Sequence, residues 1–232
     1  MFQISKQFKI GRDFPDNMKE INTVDGSITY YNEDFNECYH TKAGALSEAR
    51  IKHVEPANLK ELAKKGEVRI LDICFGLGYN TIVALDELLE ENCKIFVVGL
   101  ENDEKIIEKI PMLELESKGY EYVNRLAKEK EYSDDKVDIK LIIDDARNSI
   151  KELRGFDVVF FDPFSPKNCP ELWTEEFFSD VKEACNVPCV LTTFSCAKSV
   201  RENLAKAGFK VEDGPVFGKS SPGTIGRDNT FL

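Results

Sequence analysis

Residues 156–173 read FDVVFFDPFSPKNCPELW. The unbroken apolar run Val158, Val159, Phe160 and Phe161 has the β-branched and aromatic character of a strand buried on both faces, as in a parallel sheet. It runs directly into Asp162. The prolines at 163 and 166 cannot extend a ladder, because they lack the N–H and push their predecessors into extended or turn geometry. The Asp162 carboxylate is therefore expected at the carboxyl end of a central strand, where open α/β sheets bind their ligands.

Outward from this stretch, strands alternate with helices. Strands are expected over 68–74, 95–100, 137–143 and 189–194. Helices are expected over 80–89, over 105–130 with breaks near Pro111 and Gly119, and over 146–153, 174–184 and 199–207. Residues 209–232 can supply a closing antiparallel pair. The rhythm predicts an α/β fold with a mostly parallel central sheet, helices on both faces and an antiparallel C-terminal strand. Ahead of this domain, placed at 61–232, residues 1–60 read as a small N-terminal extension packed on the core. It would hold a hairpin strand over 27–31, after the turn-like Val24-Asp25-Gly26, and a helix over 35–56 stopped by Pro56. A further helical stretch over 58–65 would end at Gly66. The charged cluster at 129–135 reads as solvated surface.

The 232 residues suit one sizeable domain, and 42% hydrophobic with 31% charged residues describes a soluble globular chain. No apolar run approaches the ~18 residues of a membrane span. The opening MFQISKQFK lacks the apolar centre of a signal peptide, so a cytoplasmic location is expected. Seven cysteines without a CxxC pattern suggest buried reduced thiols, and the two histidines, His40 and His53, are not at metal-ligand spacing, so no metal is expected. A net charge of −11 argues against nucleic-acid binding by overall attraction and favours a small or weakly charged partner. A nucleic-acid substrate would require a local basic patch.

The first long strand leads into Phe75-Gly76-Leu77-Gly78-Tyr79-Asn80-Thr81. Gly76 and Gly78 let the backbone bend and approach a ligand, while the helix from Asn80 and Thr81 points free N–H groups at it. Glu101, at the end of the next strand, stands where an acid grips ribose hydroxyls in nucleotide folds. Asp145, or its neighbour Asp144, closes the third strand and can accept an adenine amino hydrogen. Thr81 stands where a dinucleotide fingerprint would place its third glycine, and no phosphate-binding loop compensates. A cationic, phosphate-free cofactor, S-adenosylmethionine, fits better than NAD. From about residue 68 onward the chain resembles the class I methyltransferases, with Cys74 where many members carry another glycine, and this implies a Rossmann-like fold.

Methyl transfer from a sulfonium needs an acceptor lone pair held in line with the methyl group. Asp162 can accept one N–H of an amine, the Pro163 carbonyl another, and Phe164 can pack on a flat ring. The three resemble the Asp/Asn-Pro-Pro-aromatic signature of amino-group methyltransferases, with Phe164 replacing the second proline. The longer pattern Phe161-Asp162-Pro163-Phe164-Ser165-Pro166, Asn168, Pro170, Leu172-Trp173-Thr174 is similar to the methyltransferase domain of the MnmC family, the bifunctional tRNA 5-methylaminomethyl-2-thiouridine enzymes. Tyr39-His40 with Gly44-Ala45 and Glu48, the cofactor turn, and Thr193-Phe194-Ser195 with Val200-Arg201 agree with it.

The resemblance implies methylation of the aminomethyl nitrogen on a tRNA wobble uridine, with Asp162 as the catalytic residue that positions the amine. It also implies that Tyr39 and Glu48 close over the cofactor, and that Pro163, Phe164 and Lys167 meet the acceptor. The chain ends soon after this domain, so the flavin (FAD) oxidase half is expected to be absent and the aminomethyl substrate to come from another enzyme. Lys167, Lys198, Arg201, Lys206, Lys219 and Arg227 are the candidates for tRNA contact. A small-molecule amine N-methyltransferase and a non-catalytic S-adenosylmethionine-binding module remain as alternatives.

Overall fold

In the computed structural model, which describes residues 17–228, three short strands form an antiparallel sheet ahead of the main one. They are Met18–Asn22 (β1), Ile28–Asn32 (β2) and Glu37–Cys38 (β3). The reading of residues 1–9 lies outside the described residues. Next along the chain come Glu67–Ile73 (β4), Lys94–Glu101 (β5), Glu131–Ser133 (β6) and Val137–Ile143 (β7). Phe156–Phe161 (β8), Cys185–Thr193 (β9), Lys210–Val216 (β10) and Pro222–Arg227 (β11) complete the set. β4 to β11 make one eight-stranded sheet in the order β10-β11-β9-β8-β4-β5-β7-β6. Its middle is parallel; β6 pairs antiparallel with β7 at one edge, and at the other β11 pairs antiparallel with both β9 and β10.

Every residue of β8 is buried, as its apolar run requires of a strand paired on both sides. Its ladder with β4 continues one step further, where the Asp162 amide donates to the Ile73 carbonyl at 3.1 Å, and Pro163 then ends it. From β4 the chain moves outward through β5 and β7, returns to β8 beside β4, and proceeds the other way to β9. The sheet's topological switch point therefore falls between the carboxyl ends of β4 and β8, where this architecture leaves a crevice.

Strand side chains alternate between two cores. Ile70, Val158 and Phe160 pack with the Tyr79–Leu88 and Lys118–Glu129 helices and with the helical run at 45–57. Leu71, Ile73, Val159 and Phe161 pack under the Glu175–Ala184 and Lys198–Lys206 helices.

Three segments depart from the sequence expectation. The helix expected over 35–56 begins only at Ala45, after β3, and contains a π-helical stretch, Ala49–Val54. Pro56 follows directly inside the run, which ends instead at Asn58 in a left-handed conformation, φ 54°. The stretch 105–130 divides into Glu104–Ile107, a 3-10 turn at Ile110–Met112, and Lys118–Glu129 capped by Ser117. The break falls just before Gly119, which lies in the first turn of that last helix, where a Cβ would stand 2.2 Å from the Ile82 carbonyl oxygen. The charged cluster at 129–135 contributes β6, an edge strand whose charges suit an unpaired border.

The bare backbone contact at Gly119 generates a prediction. Gly119→Ala should lower stability by about 1–3 kcal/mol through overpacking, read as a reduced urea midpoint; an unchanged midpoint would mean the two helices separate freely.

Candidate active site

The crevice at the switch point holds a cavity of about 430 Å³, within the roughly 300–1,000 Å³ typical of small-molecule sites. Its floor comes from strand ends: Cys74 after β4, Glu101 at the end of β5, and Asp162, Pro163 and Phe164 after β8. Its roof comes from the N-terminal segment, with Tyr31, Phe35, Glu37, Tyr39 and Glu48.

Of the residues read from the sequence as cofactor contacts, Tyr39, Glu48, Glu101 and Asp162 line this cavity. Gly76 adjoins it at φ 54°, and a Cβ there would meet the Tyr39 ring at 3.4 Å. The Gly76 amide donates to Glu101 Oε2 and the Asn102 and Asp103 amides to Oε1, each at 2.9 Å. Three of about four lone-pair sites are thereby taken, leaving Oε2 room for one more donor. Phe75, Gly78 and Thr81 lie outside the cavity lining. The Phe75 ring is buried where a Cβ on Gly78 or Gly99 would strike it, at 2.7 and 2.5 Å, so these glycines make space for protein. Thr81 is buried and donates its hydroxyl to Asp72 Oδ2 at 2.7 Å. Asp144 and Asp145 line a smaller adjoining cleft with Cys74, Leu100 and Leu172. Asp145 caps its own helix and pairs with Arg147, and Asp144 accepts the Ser149 hydroxyl at 3.2 Å.

Asp162 is the centre of a buried polar group. Asn80 Nδ2 donates to its Oδ2 at 3.2 Å, and His53 Nε2 lies 3.6 Å from its Oδ1. Burial works to raise the Asp162 carboxyl, but His53, His40 and Asn80 outweigh it and hold the group below its ordinary value. Asp72, fully buried beneath it, moves the other way. Burial, with the Asp162 charge nearby, pushes it up to about 7 although the Thr81 hydroxyl opposes the shift. Glu48 is also raised, by burial and then by Asp162. The environment thus moves two neighbouring carboxyls in opposite directions, Asp162 down and Asp72 up.

The roof is fastened to the loop after β8. Glu37 accepts the Ser165 amide at 3.1 Å, the Ser165 hydroxyl at 2.8 Å and the Asn168 side-chain amide at 2.7 Å. Phe35 stacks on Phe164 with centroids 4.5 Å apart and planes 22° apart, and Tyr39 leans on the same ring at 4.9 Å. The Trp173 indole donates to the Phe164 carbonyl at 2.9 Å. Glu37, His53 and Asp72 were not singled out from the sequence. Asp72 alone carried a signal there, as an acid inside the strand four residues before Gly76.

Of the basic candidates, Lys198, Arg201, Lys206 and Arg227 are paired with Glu202, Asp213, Glu175 and Glu212. Lys219 lines the cavity, its ammonium 5.5 Å from the Phe194 ring centroid, while Lys167 is exposed and outside the lining. The lining as a whole carries six carboxylates against two lysines, which favours cationic ligands. Among the described residues, no group of three or more His, Cys, Asp or Glu side chains is arranged to hold a metal ion, and no helix is long and apolar enough to cross a membrane. All seven cysteines are free thiols.

Comparison with known proteins bears on this geometry. A family model described as S-adenosyl-L-methionine-dependent methyltransferase matches residues 113–229. An uncharacterized protein of Methanocaldococcus jannaschii is 32% identical over 217 residues, 90% of this chain and 59% of its own length. The tRNA 5-methylaminomethyl-2-thiouridine biosynthesis bifunctional protein MnmC of Leptospira interrogans is 24% identical over 229 residues, again 90% of this chain but 35% of its own length. The chain therefore spans little more than half of the first relative and about a third of the second. Among solved structures, MNMC2 from Aquifex aeolicus superposes with a TM-score of 0.83 at 34% identity, over 92% of this chain and 71% of that one. Spermidine synthase from Thermotoga maritima shares the fold, with a TM-score of 0.62 at 16% identity over 91% of this chain and 68% of that one.

The raised Asp72 carboxyl generates a pH prediction. Its folded value, about 7, lies above its ordinary 3.8, so the folded chain holds a proton that the unfolded chain has released between those values. The Asp72 contribution favours folding at low pH and is lost as pH rises from about 4 through about 7. In urea unfolding, Asp72→Asn should gain on the parent across that interval by a few kcal/mol, at about 1.4 kcal/mol per pH unit, and hold the gain above it. A difference independent of pH would show that Asp72 is already ionised in the folded chain at pH 5.

Proposed function

Because this chain belongs to the S-adenosyl-L-methionine-dependent methyltransferases, we propose that it methylates the 5-aminomethyl nitrogen of a tRNA wobble uridine, giving the 5-methylaminomethyl form. The observation that carries this reading is the Asp162 carboxylate, held ionised at the end of β8 and facing the same cavity as Glu101. The similarity to MNMC2 and MnmC proteins supports the choice of acceptor.

The residues present suit the methyl donor. The lining is acidic where a sulfonium cation must lie, Glu101 Oε2 keeps one acceptor site for a ribose hydroxyl, and the cleft at Asp144 and Asp145 adjoins it for the adenine amino group. The donor's sulfonium supplies the methyl group that is transferred. The chain's own residues bind, orient and enclose. Asp162 accepts an N–H of the acceptor amine, fixing the direction of its lone pair, while Asn80 fixes Asp162. Tyr39 and Glu48 close over the donor, and Pro163 and the stacked Phe35–Phe164 pair offer flat apolar surface to a base. Lys42 and Lys219 at the cavity and Lys167 on the exposed loop are cations placed to meet backbone phosphates. In this reading residues 1–60 serve as the closing extension and 61–232 as the catalytic domain.

The acidic lining favours a second reading, a small free amine as acceptor. Labelled methyl incorporation into tRNA whose wobble uridines stop at aminomethyl, with mass analysis of the nucleosides, tests the first. A methylaminomethyl product is expected, and turnover should fall at least about a hundredfold in Asp162→Ala while donor binding persists. Incorporation into tRNA should weaken steeply with salt, whereas a small amine acceptor should show almost no slope. Donor binding without any methylated nucleoside would transfer the assignment to the small-amine reading.

A further inference from the structure

His53 has no part in the roles given above. It lies in the π-helical stretch Ala49–Val54 and is fully buried, edge-on to Phe160 with centroids 6.1 Å apart. Nδ1 meets Thr192 Oγ1 of β9 at 3.2 Å. Nε2 has no hydrogen-bond partner and faces Asp162 Oδ1 at 3.6 Å, just beyond hydrogen-bond length. A buried polar nitrogen left unpaired is costly, and packing against Phe160 alone would not require an imidazole here. If the Thr192 hydroxyl donates to Nδ1, the neutral ring must carry its proton on Nε2, pointing at the carboxylate. Catalytic hydrogen bonds are often long in a ligand-free site and tighten when the acceptor is bound.

We propose that His53 is the positioning residue of Asp162: its Nε2–H anchors Oδ1 while Asn80 anchors Oδ2, so the free lone pairs of the carboxylate are directed at the acceptor amine. The kinetic consequence rests on the proposed methyl transfer to nitrogen, but the contact itself does not. The charged and titratable groups around His53 come from four elements. They are Asp162 after β8, Glu48 one turn earlier on its own helical run, Asp72 on β4 and His40 after β3. Burial alone would lower the imidazole, but the surrounding carboxylates, Asp162 foremost, outweigh it and raise it.

Nuclear magnetic resonance of imidazole nitrogens tests the contact without any substrate, and the chain has two histidines to assign, His40 and His53. At a pH above its titration, where the ring is neutral, His53 should carry its proton on Nε2, and its titration should fall to lower pH in Asp162→Asn. An Nδ1-protonated ring, or a titration indifferent to Asp162→Asn, overturns the proposal. For methyl transfer, His53→Leu should lower kcat at least about tenfold with the KM for the methyl donor within about twofold. The acid limb of its pH profile should move upward, because Asp162 without its partner takes up a proton at higher pH. His53→Gln, whose amide can donate from a similar place, should restore most of the rate. Equal losses in both variants with an unmoved acid limb would reduce His53 to a packing residue. If the parent methylates neither tRNA nor a small amine, the proposed function fails, and the resonance experiment still decides the contact.

Discussion

A carboxylate kept ionised inside the protein is the condition on which the rest of this structure depends. Taking such a charge out of water costs several kcal/mol unless local donors replace the lost hydration. Asn80 and His53 supply that replacement for Asp162. The pairing of β4 with β8 sets Asp72 opposite Phe160, so Asp72 and Asp162 project to the same side of the sheet, two residues apart in register. Two adjacent buried negative charges would repel. Protonation of Asp72, favoured by burial, removes one of them and leaves Asp162 to carry the charge at the crevice.

The second condition is enclosure. A parallel sheet alone leaves its switch-point crevice open, and here the N-terminal sheet covers it. Glu37 takes three hydrogen bonds from Ser165 and Asn168, so the loop bearing Pro163 and Phe164 is held by the roof as well as by β8. Phe35 and Tyr39 pack on Phe164 from the same side. The residues that narrow the crevice thus also fix its wall.

The central sheet was legible because its strands are short apolar runs ending in an acid or a glycine turn, and β8 was the clearest of them. Asp162, Glu101 and the turn at Gly76 were legible for the same reason: the end of a buried parallel strand is a defined place. The roof was less so. β3 has two residues and no periodicity, and Pro56, normally a helix stop, lies inside a run that a π-helical stretch has already widened. Gly119 marks a close approach of two helices, which one sequence cannot distinguish from a break. His53 carried no signal because its meaning comes from residues 109 and 139 positions away, Asp162 and Thr192, which only the folded sheet brings beside it. Phe75, Gly78 and Thr81 have ligand-site spacing and also make internal contacts, Gly78 close to Val123 and Phe75, and Thr81 to Asp72, which the spacing alone did not show.

The bond between Glu37 and Ser165 joins residues 128 positions apart. On a ribosome adding roughly 5–20 residues per second, the roof therefore waits on the order of 10 s for the loop it fastens. During that interval the segment that forms β1, β2 and β3 lacks the Phe164 ring and the Ser165 loop it packs against in the folded chain. The order of synthesis thus delivers the cover before the vessel. The growing chain must keep Phe35 and Tyr39 from other apolar surfaces until β8 has entered the sheet, so the timing of translation becomes part of how this site is assembled.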